Sequence, residues 1–169
     1  MPRATRVIAA AERHGRPVVD TVILDYAQRS ANKITVTGAK GGSIVIDLRE
    51  PARLRTDDLL LLDDGSLVEV VAAPERLIEA RAGDVAGLSR LAWHLGDRHV
   101  PVQVLLNRIR ARCDAKIEAL LASLGAKLTM IEAPFEPEGG AYALSHDHAH
   151  GDAHHHHGHS HGHGHDHDR

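Results

Sequence analysis

Beyond Leu144 the chain contains no apolar side chain larger than alanine. Any core must therefore come from residues 1–144. A stretch of histidine, glycine, aspartate, serine and alanine cannot bury enough surface to offset an ordering cost of about 1–2 kcal/mol per residue. Twelve of the fifteen histidines of the 169-residue chain lie in that stretch: His146, His148, His150, His154, His155, His156, His157, His159, His161, His163, His165 and His167. It also holds Asp147, Asp152, Asp166 and Asp168 against Arg169, so the formal net charge of −3 belongs to it and residues 1–145 are electroneutral. The expectation is a folded body and a histidine-rich tail, residues 145–169, that stays disordered without metal.

The body excludes several classes. It contains no apolar run near the roughly 18–20 residues that span a bilayer, and its N-terminus has no charged-then-apolar leader pattern, so a cytoplasmic protein without membrane contact is expected. A single cysteine, Cys113, leaves no internal disulfide, Cys-based zinc finger or CxxC redox site. Balanced charge and only four aromatic residues argue against a nucleic-acid surface, which needs clustered cations and stacking platforms.

The first half reads as β. Val18–Leu24, Ile34–Thr37 and Ser43–Leu48 are β-branched runs, and the last two are joined by Gly38-Ala39-Lys40-Gly41-Gly42, a glycine-rich turn. Leu59–Leu62 and Leu67–Val71 make a second hairpin across Asp63-Asp64-Gly65-Ser66, where Asp-Gly tolerates the positive φ of a tight turn. No helix-length periodicity interrupts this region, which gives an all-β domain over residues 1–74.

Pro74 ends the Val-Val-Ala-Ala run, and a different pattern follows. Leu77–Arg81 is a short strand. Asp84 caps a helix whose stripe is Val85, Leu88, Leu91, Ala92 and Leu95, with Gly96 as its stop. Val100, Val102 and Val104 alternate as a strand, with Arg108–Ala111 beside it. Asp114 opens a second helix carrying Ile117, Leu120, Leu121 and Leu124, which Gly125 ends, and Ala126–Glu132 is the last strand. The order β-α-β-β-α-β predicts a ferredoxin-like domain over residues 75–144, and the whole is an α+β protein.

Neutral imidazole suits Ni²⁺, Cu²⁺ and Zn²⁺, and a flexible chain offering many can wrap several ions in changing sets. Metal binding is thus strongly signalled, whereas the metal is not, because generic nitrogen sites follow the Irving–Williams order. Occupancy should fall as imidazole protonates near pH ~6.5. An expression tag is disfavoured, since the longest histidine run, His154–His157, is only four residues. A storage or buffering protein without a delivery role is the competing reading. In the body, His94 flanks the first helix stripe, while His99 lies on the loop that leads into a strand.

The string Ala92-Trp93-His94-Leu95-Gly96-Asp97-Arg98-His99-Val100-Pro101-Val102-Gln103 resembles the Gly-Asn-Arg-His-Val-Pro segment of the urease accessory protein UreE family. Leu124-Gly125-Ala126 followed by Ala133–Tyr142 resembles that family's second signature, and a histidine-rich tail after it is typical of several members. The resemblance implies a nickel metallochaperone, not an enzyme, that supplies Ni²⁺ during assembly of the urease active site, with Zn²⁺ or Cu²⁺ as alternatives at the same sites. It implies a homodimer, an N-terminal β domain that binds partner protein, and a metal-binding ferredoxin-like domain in which the histidine matching His99 meets its mate at the two-fold axis. Partners implied are urease apoprotein and other urease accessory proteins, a GTPase among them.

Two positions depart from the family pattern. Asp97 replaces an asparagine, placing a carboxylate beside the metal or capping the helix end. Cys113-Asp114-Ala115 stands where some members carry His-Asp-His, so Cys113 is either a soft ligand or a buried thiol. Trp93 lies opposite the leucine stripe and is expected at a dimer or domain contact in preference to standing as an exposed aromatic. Arg98 orients the loop or meets a carboxylate across an interface, and the Arg108, Arg110 and Arg112 alternation reads as a solvated strand face in preference to an anion site. No phosphate-binding loop, HExxH helix or serine nucleophile motif is present.

Overall fold

Runs rich in valine, isoleucine and leucine build the first sheet. In a computed structural model, residues 1–8, 10–49 and 52–139 are described, and the twelve tail histidines with their expected disorder lie outside that range. Strands β1 (Arg3–Ile8), β2 (Val18–Leu24), β3 (Lys33–Thr37), β4 (Ser43–Asp47), β5 (Leu59–Leu62) and β6 (Leu67–Ala72) pair in the order β2-β6-β5-β1-β4-β3. Pairs β1/β4 and β2/β6 are parallel and the rest antiparallel. Both hairpins expected from their turns are present, with Gly41 and Gly65 each at φ 86°.

The sheet curls on itself. Ala39 N–H, in the β3–β4 turn, donates to Thr21 O on β2 at 2.8 Å, joining the two ends of the strand order. Ala4, Val22, Val36, Ile46, Leu60 and Val70 meet in one core. A Cβ at Gly38 would lie 2.0 Å from Asp20 Oδ2, so any larger residue there would displace the Asp20 side chain.

Two features correct the sequence expectation. Strand β1 was not expected, yet it is central, with Ala4 and Ile8 turned inward. The half is also not purely β, since a 3-10 turn (Ala10–Arg13) and a one-turn helix α1 (Tyr26–Arg29) interrupt it. Asp25 caps α1 through a reciprocal box: its side chain accepts from Gln28 N at 2.7 Å, and Gln28 Oε1 accepts from Asp25 N at 2.9 Å.

The second half is β7 (Pro74–Arg81), α2 (Val85–Asp97), β8 (Gln103–Leu105), β9 (Arg108–Arg112), α3 (Ala115–Ser123) and β10 (Lys127–Pro134). Its sheet runs β10-β7-β9-β8 with every neighbour antiparallel, the expected ferredoxin-like arrangement. Both helices lie on one face, where Leu91, Leu95 and Leu121 pack with Ile78, Ala80 and Ile109. Pro74 begins β7 instead of merely preceding it, a strand position that needs no donated hydrogen bond. Val85, expected in the helix stripe, is 81% exposed in the first turn of α2 and takes no part in the core. Val100 and Val102 pack against the core without joining β8.

Residues 1–138 form one compact unit. Arg29, fully buried, donates to Leu24 O, to Leu54 O at 3.1 Å and to Phe135 O, and lies 4.0 Å from Glu75. Phe135, also fully buried, meets the Tyr26 ring edge-on at 5.5 Å between centroids. The segment after β10 thus returns to the first half, and Arg53 reaches Glu138 O at 2.6 Å.

Candidate metal centre

His99 takes its position from the way α2 ends. Asp84 fixes the start, accepting from Gly87 N at 2.7 Å, and the helix runs through Gly96 to Asp97. Val100 N then donates to Leu95 O at 3.0 Å and His99 N to Gly96 O at 2.9 Å, the paired bonds of a Schellman cap. In that cap the residue after the C-cap is left-handed. Here it is His99, at φ 53°. Gly96 is therefore not the stop expected from sequence.

Helix α3 supplies the comparison within the same molecule. Ala126 N donates to Leu121 O at 3.1 Å and Gly125 N to Ala122 O at 3.0 Å, with Gly125 at φ 75°. The two caps are the same device, one built on glycine and the other on histidine. Left-handed backbone costs an L-residue on the order of 1 kcal/mol, although histidine is among the side chains that tolerate it better. The backbone at residue 99 calls for glycine, and the chain carries an imidazole.

The His99 side chain is exposed and lines an open depression of about 470 Å³ with Arg98, Pro101, Arg112, Asp114 and Lys116. The acidic groups nearby are already engaged. Asp114 caps α3 by accepting from Lys116 N at 2.8 Å and Ile117 N at 3.1 Å, and Asp97 lies 3.8 Å from Arg98 Nη1. Arg98 Nη1 also donates to His94 O at 3.0 Å, so Arg98 serves the end of its own helix. Among the described residues no group of three His, Cys, Asp or Glu side chains comes close enough to hold a metal ion. His99 is one donor, and a metal site needs about three or four.

The remaining candidates separate from it. The half-buried His94 ring sits edge-on to Trp93 at 4.9 Å. Trp93 is 65% exposed among the described residues. Cys113 is exposed, not a buried thiol, with Sγ 3.6 Å from Met130 Sδ. It opens on a neighbouring depression with Asp25 and Glu75 and does not line that of His99.

Of the three arginines expected on a solvated strand face, Arg112 is exposed, whereas Arg108 and Arg110 are partly buried. Glu79, 7% exposed on β7, gathers Arg108 Nε at 3.1 Å and Arg110 Nε at 3.0 Å on Oε2, with Arg81 Nη2 at 2.9 Å on Oε1. Arg112 lies over the Tyr26 ring at 5.0 Å. Burial alone would push the Glu79 carboxyl up. Hydrogen bonds from Arg81 and Arg110 and the charges of Arg108 and Arg110 outweigh it and hold the group below its ordinary range.

Comparison with known proteins places this geometry in a family. The model for the N-terminal domain of the UreE urease accessory protein matches residues 4–73, and that for the C-terminal domain matches residues 75–167. The chain belongs to the UreE family. It is 48% identical over 146 residues to the urease accessory protein UreE of Rhodopseudomonas palustris (strain HaA2), covering 83% of this chain and 68% of the relative. It is 51% identical to that of Bradyrhizobium sp. (strain ORS 278), covering 85% and 68% of the two chains. A shorter relative, UreE of Chelativorans sp. (strain BNC1), is 43% identical over 148 residues, covering 87% of this chain and 91% of its own length. The C-terminal family match contains both His99 and the twelve tail histidines. No helix among the described residues is long and apolar enough to cross a membrane.

Proposed function

We propose that this chain is a dimeric nickel carrier of urease assembly, acting in the cytoplasm and delivering its cargo without catalysing a reaction. The observation that supports this most directly is the pair of helix caps. Gly125 shows what the motif takes when only backbone matters, while His99 occupies the same place with an exposed imidazole that has no side-chain hydrogen bond among the described residues.

One imidazole does not hold Ni²⁺ securely. A two-fold dimer that brings His99 onto its axis counts the donor twice, and exposed Trp93 on the same helix belongs to such a contact. Labour divides along the chain. Residues 1–74 engage urease apoprotein and the other accessory proteins, including a GTPase that supplies energy for insertion. Residues 75–144 hold the transferable ion, and residues 145–169 collect ions on His146 through His167. Zn²⁺ and Cu²⁺ compete at the same nitrogen donors.

Calorimetric titration with Ni²⁺ tests this on the full chain, on a chain ending at Glu138 and on His99→Ala in each. The expected result is several ions per dimer for the full chain and about one for the shortened dimer. His99→Ala should remove that last ion. A shortened dimer that binds no Ni²⁺ sinks the axial site. Delivery, as opposed to storage, requires that loaded protein raise activation of urease apoprotein above the same amount of free Ni²⁺.

A further inference from the structure

We propose that the guanidinium cluster around Glu79 is a binding site for a compact, multiply charged oxyanion of the phosphate class. The cluster stands on the sheet face opposite α2 and α3. Ile78, Ala80 and Ile109 pack with the helices, so strand alternation turns Glu79, Arg81, Arg108 and Arg110 the other way. Cross-strand register adds a fourth cation, because Lys127 stands directly opposite Arg81 on β10.

Charge and donors are both in excess. One carboxylate serves three guanidiniums, and a carboxylate accepts at about four lone-pair sites where three guanidiniums bring about fifteen N–H donors. Arg108 Nε shows the shortfall. It is buried 3.1 Å from Glu79 Oε2 but off the hydrogen-bonding direction, and it has no hydrogen-bond acceptor among the described residues. Arg81 and Arg108 keep 45% and 32% of their side-chain surface exposed, so their outer N–H groups are open to a ligand. Glu79 meanwhile orders the inner edges, which leaves the forks preset for a second acceptor.

The surroundings narrow the ligand. A second copy of this face would oppose cation to cation. A nucleic-acid strand would need open stacking surfaces, and the ring beside this face, Tyr26, is already covered by Arg112 and packed on Phe135. A metal cation is excluded by the sign of the charge. A small tetrahedral dianion matches both the excess charge and the tight grouping.

The test uses the full metal-free chain at low ionic strength. Inorganic phosphate is titrated while the arginine Nε–H signals are followed by NMR, with sodium chloride at matched ionic strength and an aspartate-rich peptide as separate arms. A saturable shift of the Arg81, Arg108 and Arg110 signals with phosphate but not chloride is expected. Affinity should fall about tenfold in Arg108→Gln. Lys127→Gln, which makes no contact with Glu79 and leaves the ion-pair network intact, should weaken phosphate binding several-fold at unchanged melting temperature. Shifts that follow ionic strength alone overturn the proposal, as does phosphate binding that survives both substitutions. Saturation by the peptide without saturation by phosphate also overturns it, and assigns the face to an acidic partner segment.

Discussion

At the scale of single residues, the conflict between backbone preference and side-chain chemistry is sharpest at His99. Glycine adopts φ near 53° without the Cβ clash that histidine carries. His99→Gly should therefore raise the stability of the metal-free chain by on the order of 0.5–1 kcal/mol while abolishing nickel binding at the proposed axial site. Urea unfolding at constant slope checks the first effect and calorimetry the second. Gly125→Ala, at φ 75°, should lose a similar amount. The imidazole was legible in the string Arg98-His99-Val100-Pro101 through its resemblance to a family segment. Its left-handed backbone was not. Gly96 offered the nearer and more usual helix stop, and only the hydrogen bonds of residues 99 and 100 show that the helix passes it.

Elements show why sequence reading succeeded in some places and failed in others. Both hairpins were legible because their turns carry glycines at the left-handed positions, and both long helices because Asp84 and Asp114 announce their starts. Strand β1 was not, since Arg3–Ile8 spends two of six positions on arginine and one inward position on alanine. Its centrality comes from pairing with residues 45–46 and 59–62, which no local pattern encodes. The Glu79 cluster escaped for the same reason, as its carboxylate and two of its cations come from strands β7 and β9. That cluster makes an acid prediction. A carboxyl held below its ordinary value stabilises the fold fully above the unfolded value, about 4.3, and the contribution is lost as pH falls through the folded value. Glu79→Gln should cost about 1.5–3 kcal/mol at pH 7. The gap to the parent should close below pH ~4 in denaturant melts recorded across pH.

For the whole molecule, the decisive residue is Arg29, which joins carbonyls of α1's approach, the loop before β5 and the segment after β10. Arg29→Met removes the guanidinium donors of Leu54 O and Phe135 O and the cation beside Glu75, while Leu24 O keeps Ala73 N and Glu75 Oε1 keeps Tyr26 N, at a cost of about 3–5 kcal/mol. Arg29→Lys should not rescue it, since an ammonium lacks the planar fork. Unfolding followed by Trp93 fluorescence and by far-ultraviolet dichroism should coincide in the parent and separate in the variant. The cap at His99 has a last consequence at this scale. Its backbone is ordered before any ion arrives, so coordination restricts only two side-chain torsions and spares the roughly 1–2 kcal/mol that ordering a loose residue costs. A donor that cannot follow the ion makes the ion conform to it, so the axial site proposed above would discriminate among metals by their preferred coordination geometry and not by affinity alone.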